Sequence, residues 1–204
     1  MRLTLIRMRR IRLTHLLFTI ALAASPALSQ TPPAAAPDAL AQARGNGQLQ
    51  PLYDALKRER DPEKAGSIAN EIMSELNDSG SATVNLLMQW ASTAVGEKRN
   101  GAALDFLDQA TLLRPDFAEG WNRRAGLHYA MGDTRKSMAD INQVLQREPR
   151  HFGAIAGMAA ILTDVGQDEL ALKAWQRYLS IYPADRDAQE AAIKLSEKIA
   201  GSRT

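Results

Sequence analysis

Small and large apolar residues recur through the middle of the chain with a period of 34 residues, which the prolines at Pro115, Pro149 and Pro183 mark most plainly. The positions that keep this spacing are small at Ala91, Ala125 and Ala159 and at Ala103, Ser137 and Ala171, and large at Leu87, Trp121 and Ile155 and at Leu107, Ile141 and Trp175. Such a period predicts two antiparallel helices of about fourteen residues in each copy. Because one hairpin cannot bury its apolar face alone, neighbouring copies are expected to stack.

The residue types explain the spacing. Small side chains let two helix axes approach within about 8–10 Å, and a proline ends the second helix of each copy. Gly132 and Gly166 supply the left-handed backbone that ends the first helix. Lys98 stands at the matching position of the first copy, and we expect Gly96 and Gly101 to make that turn instead.

The pattern resembles the tetratricopeptide repeat over roughly residues 84–185, in copies 84–117, 118–151 and 152–185. The resemblance implies an all-α fold, a right-handed α-solenoid of helical hairpins. It also implies a role in binding other proteins.

Residues 49–83 are predicted to form a degenerate hairpin that extends the stack as a fourth unit. Ile68, Ile72 and Leu76 make a helical stripe there, spaced i, i+4, i+8. Residues 186–204 are predicted to hold a C-terminal cap helix and tail, with the apolar residues on one face and Lys and Glu opposite.

The N-terminal region has the layout of a secretory signal. Residues 1–29 contain a basic stretch, a short apolar run and small residues, and we predict cleavage after Ser29, with Ala24 as the alternative. Met8 is an alternative start, and a twin-arginine signal at Arg9-Arg10 is disfavoured because Arg12 replaces the usual apolar residue. The protein is therefore expected in the periplasm, with no transmembrane segment in the mature chain.

Residues 30–48 are rich in Pro, Ala and Gly, and we predict a disordered tether. Five of the 25 basic residues lie in residues 1–29, which contain no acidic residue. The rest of the chain has 20 basic and 23 acidic residues, a net charge of −3. Nucleic acid is thus not an expected partner, because phosphate binding needs clustered positive charge.

The chemistry of an enzyme is not evident. The chain has no cysteine, and His128 and His151, the two histidines beyond residue 29, belong to no metal-binding motif. No phosphate-binding glycine motif or nucleophile elbow occurs. We expect no catalytic residue, no metal and no cofactor; an enzyme that uses His128 with nearby carboxylates is the least favoured hypothesis.

The resemblance also implies a concave groove, lined by positions two, five, nine and twelve of each first helix. Carried over, these positions are Asn85, Met88, Ser92, Val95, Glu119, Asn122, Gly126, Tyr129, Gly153, Ala156, Ala160 and Thr163. A peptide is expected to bind chiefly at Asn85, Met88, Ser92, Glu119, Asn122, Gly126, Tyr129 and Thr163. The small residues among them could instead serve only to tighten the superhelix. Ala156 and Ala160 stand where a carboxylate clamp would need Lys and Arg, so the family's chaperone-tail specificity is not expected.

One charged pair is expected inside the second copy. Arg124 occupies a half-buried position that is Trp90 or Met158 in the other copies, and Asp140 follows sixteen residues later on the second helix. We predict a structural Arg124–Asp140 pair. The expected function is a non-enzymatic, periplasmic protein-interaction module; the alternative is a self-associating scaffold or assembly factor of the envelope, and the oligomeric state stays open.

Overall fold

The computed structural model describes the backbone of residues 37–201 and the side chains from residue 47 onward. The predicted signal peptide, the first part of the predicted tether and residues 202–204 lie outside the described residues. Residues 37–201 contain nine helices and no strand. They are α1 (Pro37–Arg58), α2 (Pro62–Leu76), α3 (Ala82–Gly96), α4 (Asn100–Leu113), α5 (Ala118–Ala130), α6 (Thr134–Arg147), α7 (Phe152–Asp164), α8 (Asp168–Ile181) and α9 (Arg186–Gly201).

The three predicted repeats are the hairpins α3–α4, α5–α6 and α7–α8, and each packs on the next in chain order. The small residues at the crossings are buried, as at Ala103 and Ala171, which are fully inaccessible. The second helix of each hairpin ends two residues before its proline, at Leu113, Arg147 and Ile181. The repeating part of the chain therefore folds as the 34-residue period predicts.

The turn inside each repeat has the same geometry in all three copies, and here one expectation was wrong. Lys98 itself adopts the left-handed conformation, with φ of 59°, beside 81° at Gly132 and 73° at Gly166. The Lys98 N–H donates to the carbonyl of Val95, and the Arg99 N–H donates to the carbonyl of Ala94. These two bonds satisfy the last carbonyls of α3, so the turn keeps its form although a lysine bears the strain.

The structure differs from the predicted tether over residues 37–48, which belong to α1. The Ala, Leu, Gln and Arg of this segment are favourable helix formers, which the reading by composition overlooked. Buried Leu49, Tyr53 and Leu56 anchor the helix. It continues upstream of Pro51, although a proline inside a helix removes one N–H bond and crowds the carbonyl four residues before it.

The position of the α1–α2 hairpin also differs from the prediction. Its apolar face packs on the third repeat and the start of α9, at the opposite end of the chain from the expected place. Fully buried Leu56 and Ile72 join a cluster with Phe152, Ile155 and Tyr178. The third repeat offers large aromatic surfaces for this contact, and aromatic side chains bury the most apolar area.

The predicted cap helix is α9. Ala188 and Leu195 are buried against the third repeat, while Glu190 and Lys194 pair on the exposed side. The solenoid therefore ends on a charged surface at its C-terminal side.

Candidate functional site

The predicted pair of the second repeat is present. Arg124 Nε and Nη2 lie 2.8 and 2.7 Å from the two oxygens of Asp140, whose carboxylate is buried. Arg124 Nη1 also donates to Asp108 at 2.7 Å, and these carboxylates, Asp140 first, raise the pKa of the guanidinium. Since Asp108 belongs to α4, the pair ties two repeats together, a role that the comparison of equivalent positions missed.

Trp121 and His128, the other conspicuous residues of α5, serve the packing. The Arg124 guanidinium lies over the Trp121 ring, with its Cζ 4.7 Å from the ring centroid. The indole N–H of Trp121 donates to the carbonyl of Pro115 at 2.9 Å. His128 is nearly buried, with Nε2 3.9 Å from Asp140. No group of His, Asp or Glu side chains in residues 47–201 could hold a metal ion.

Glu119 does not line an open groove, contrary to expectation. Its side chain is buried, and its carboxylate accepts hydrogen bonds from Asn122 at 2.9 Å, Arg123 at 3.1 Å and His151 at 3.1 Å. His151 is fully buried, and its Nδ1 accepts the N–H of Ala154, so the neutral ring carries its hydrogen on Nε2 and donates it to Glu119. Glu119 thus positions the cap of α7, and the sequence reading missed His151 because the two residues are 32 positions apart.

Two further residues expected in the groove, Asn85 and Met88, instead contact other parts of the protein. The Asn85 amide donates to Asp78 at 2.8 Å, and this bond lowers the pKa of the Asp78 carboxyl. The Asn85 oxygen also accepts from Ser79, so the two bonds hold the loop before α3. Met88 is buried among the apolar residues of the first repeat and Leu127. Both positions were expected to contact a ligand; Asn85 instead holds a loop through hydrogen bonds, and Met88 completes the internal packing.

Arg123, which the sequence reading did not single out, joins three helices across the same face. Its guanidinium donates to Ser92 of α3 at 2.6 Å and to Asn77 at the end of α2, as well as to Glu119. The α1–α2 hairpin is also held by Arg150, which donates to Gln50 of α1 at 2.9 Å and lies 4.1 Å from the centroid of the Tyr53 ring. The hairpin therefore covers part of the face where the groove was expected.

The remaining candidates form an open surface on the second halves of α5 and α7. Gly126 is exposed and has no atom within 4 Å of where a Cβ would stand. Tyr129 is 37% exposed, and its hydroxyl donates to Asp164 of the next repeat, which raises the pKa of the phenol. Thr163 is exposed beside them. We call Gly126, Tyr129, Thr163 and Asp164 the α5–α7 surface.

This geometry defines the class of protein: an α-solenoid of stacked helical hairpins with a cap helix. No protein-family model matches the chain. A TPR repeat-containing protein of Rhizobium etli is 66% identical over 157 residues, which are 77% of this chain and 77% of that protein. The chain belongs to the tetratricopeptide-repeat (TPR) proteins.

Solved structures show the same fold at low identity. The first TPR of Spaghetti (RPAP3), bound to the HSP90 peptide SRMEEVD, has a TM-score of 0.56 at 18% identity and covers 59% of this chain and 95% of that one. The Sgt2 TPR domain from Aspergillus fumigatus has a TM-score of 0.55 at 17% identity, covering 60% and 83%. The P58(IPK) TPR domain has a TM-score of 0.54 at 17% identity, covering 81% and 45%. No helix within residues 37–201 is long and apolar enough to cross a membrane.

Proposed function

We propose that this protein is a non-enzymatic interaction module of the bacterial periplasm that holds a peptide or helix of another protein on the α5–α7 surface. One observation carries the proposal: Gly126 is exposed with open space where a Cβ would stand, one turn before exposed Tyr129 on α5, and Tyr129 reaches Asp164 beside exposed Thr163 on α7. A ligand backbone can approach closely where no Cβ stands, and a tyrosine offers an apolar ring with a polar tip. Other TPR proteins are generally scaffolds, which fits this role.

Site-specific photocrosslinking tests the surface. A photoreactive residue at Tyr129 should capture one envelope protein reproducibly, and Gly126→Leu should weaken that capture because its side chain fills the open space. The same group at Lys173, exposed on α8, serves as the matched control. Equal capture from Lys173, or no specific product from Tyr129, would count against this surface.

The peptide seen with RPAP3 is a useful negative probe. SRMEEVD carries two glutamates and an aspartate with a terminal carboxylate, whereas Ala156 and Ala160 stand at the clamp positions of the third repeat. Titration with this peptide should give no saturable binding to this protein, and tight binding would overturn the expected specificity.

The periplasmic location rests on the arrangement of residues 1–29 and has its own test. N-terminal sequencing of the protein recovered from the periplasmic fraction should begin at Gln30. A mature chain that retains Arg9-Arg10 would refute export by the predicted route.

Self-association is the second candidate function, and exposed apolar side chains at the start of the stack favour it. Leu86 and Trp90 on α3 and Leu113 on α4 are 41%, 48% and 53% exposed. Light scattering of the purified protein separates the two candidates, since a stable monomer disfavours a scaffold.

A further inference from the structure

The first face of the solenoid carries the side chains that later repeats use for stacking. Trp90 stands at the position of Arg124, and Arg124 contacts Asp108 and Thr111 on the second helix of the preceding repeat. The next equivalent, Met158, packs against the core of the second and third repeats. Trp90 therefore belongs to a stacking face, and no hairpin within residues 37–201 stacks on it, because the α1–α2 hairpin packs on the third repeat.

The side chains of this face are apolar and arranged in one stripe. Leu86 and Trp90 are one helical turn apart on α3, and the Trp90 ring lies 5.6 Å from the ring of Phe106 on α4. Leu113 follows Phe106 at i+7, which places it on the same side of α4. We call Leu86, Trp90, Phe106 and Leu113 the leading face.

The charge of α3 indicates which partner can cover the leading face. None of the 15 residues from Ala82 to Gly96 is charged. A neutral face can meet its own copy about a two-fold axis without opposing like charges, which is the usual arrangement of a homodimer. The other end of the stack carries Glu190, Lys194 and Lys198 on α9 around the exposed Ile193, so its surface is charged and offers no comparable apolar stripe.

We propose that two copies of this protein pair through their leading faces, with Leu86 and Trp90 at the centre of the contact. This pairing would give the self-associating candidate its surface. Fifteen residues of helix span about 22 Å, and two helices side by side add roughly 20 Å of width. Such a face is small for a specific interface, so the dimer should be weak and concentration-dependent, with a dissociation constant on the order of 10 μM.

Sedimentation velocity over a concentration series tests the proposal on the protein as purified from its producing cells. The wild type should pass from monomer to dimer. Leu86→Lys should raise the dissociation constant at least about tenfold, because two like charges would meet across the axis. Ile193→Lys makes the same change at a 58% exposed position on α9 and should leave the equilibrium unaltered. Circular dichroism checks that both variants are folded.

A second measurement does not depend on disrupting the face. The chain contains no cysteine, so Gln89→Cys creates a unique thiol beside the stripe. A short thiol-reactive crosslinker should join two copies of this variant, while Lys173→Cys should give no crosslinked dimer. A monomer at every concentration, a dimer that Leu86→Lys does not weaken, or capture of the leading face by residues 30–36 or another protein would overturn the proposal.

Failure here is distinguishable from failure of the α5–α7 surface. Leu86→Lys should leave photocrosslinking from Tyr129 unchanged, because the two surfaces share no residue. Loss of both activities in this one variant would contradict the assignment of two separate surfaces.

Discussion

Replacing Lys98 by glycine should stabilise the protein. Lys98 holds the left-handed conformation, φ of 59°, that glycine provides in the other two repeats. A left-handed backbone costs an L-residue about 1–2 kcal/mol, which glycine avoids. Glycine in turn adds about 0.4–1 kcal/mol of backbone entropy to the unfolded chain. The net gain is about 0.5–1 kcal/mol, which corresponds to a rise in Tm of about 1–4 °C for a protein of this size.

Urea denaturation followed by circular dichroism measures this change, and two further variants isolate its cause. Gly132→Lys places the strained side chain at a turn where a Cβ would meet no atom within 4 Å, so it should lose about the stability that Lys98→Gly gains. Lys98→Ala removes the charge but keeps the strain, and it should be close to neutral. The reasoning is refuted if Lys98→Gly is neutral or destabilising while Gly132→Lys costs stability as expected.

Three other perturbations follow from the contacts. Arg124→Met alone should cost about 3 kcal/mol because it leaves buried Asp140 uncompensated, whereas adding Asp140→Ala should recover part of the loss in a double-mutant cycle; equal costs would contradict a buried pair. Tyr53→Phe should be neutral or stabilising by up to about 1 kcal/mol in thermal unfolding, since the buried Tyr53 hydroxyl has no hydrogen-bond partner among the described residues. Asp61 and Asp133 accept backbone N–H groups at the starts of α2 and α6, which lowers the pKa of both carboxyls. Their contribution is present above the unfolded pKa and is lost as pH falls through the lower folded pKa. Denaturation below about pH 4 should therefore be shallower in Asp133→Asn, and an unchanged pH profile would contradict the capping role.

The candidate site shows how far local reasoning reaches. Arg124 and Asp140 were predictable because both depart from the same pattern at equivalent positions, and a helical hairpin brings such positions together. The contact between Glu119 and His151 was not predictable, because it joins one repeat to the next and no local sequence pattern relates the two residues. The same limit applies to Arg123, whose partners lie on α2 and α3.

The open surface was predicted too broadly for a similar reason. The helical spacing places Glu119, Asn122, Gly126 and Tyr129 on one face, but a face is not the same as an accessible surface. The α1–α2 hairpin and the contacts between repeats cover the first halves of the inner helices. Of the positions where a ligand was expected, Ser92, Gly126, Tyr129 and Thr163 stay exposed, and Ser92 already accepts a hydrogen bond from Arg123.

The sequence alone determined the helices of the repeats, their pairing and their order, because the period of small and large residues records contacts that are local in the chain. It also determined the ends of those helices, through the three prolines and the two glycines, except at the end of α3, where Lys98 takes the place of a glycine. Only the tertiary structure decided that α1 and α2 pack on the third repeat, because this contact joins residues far apart in the chain, such as Leu56 with Phe152 and Tyr178, and no local pattern of residues records it. That choice leaves Leu86 and Trp90 uncovered at one end of the solenoid, and it covers part of the inner face.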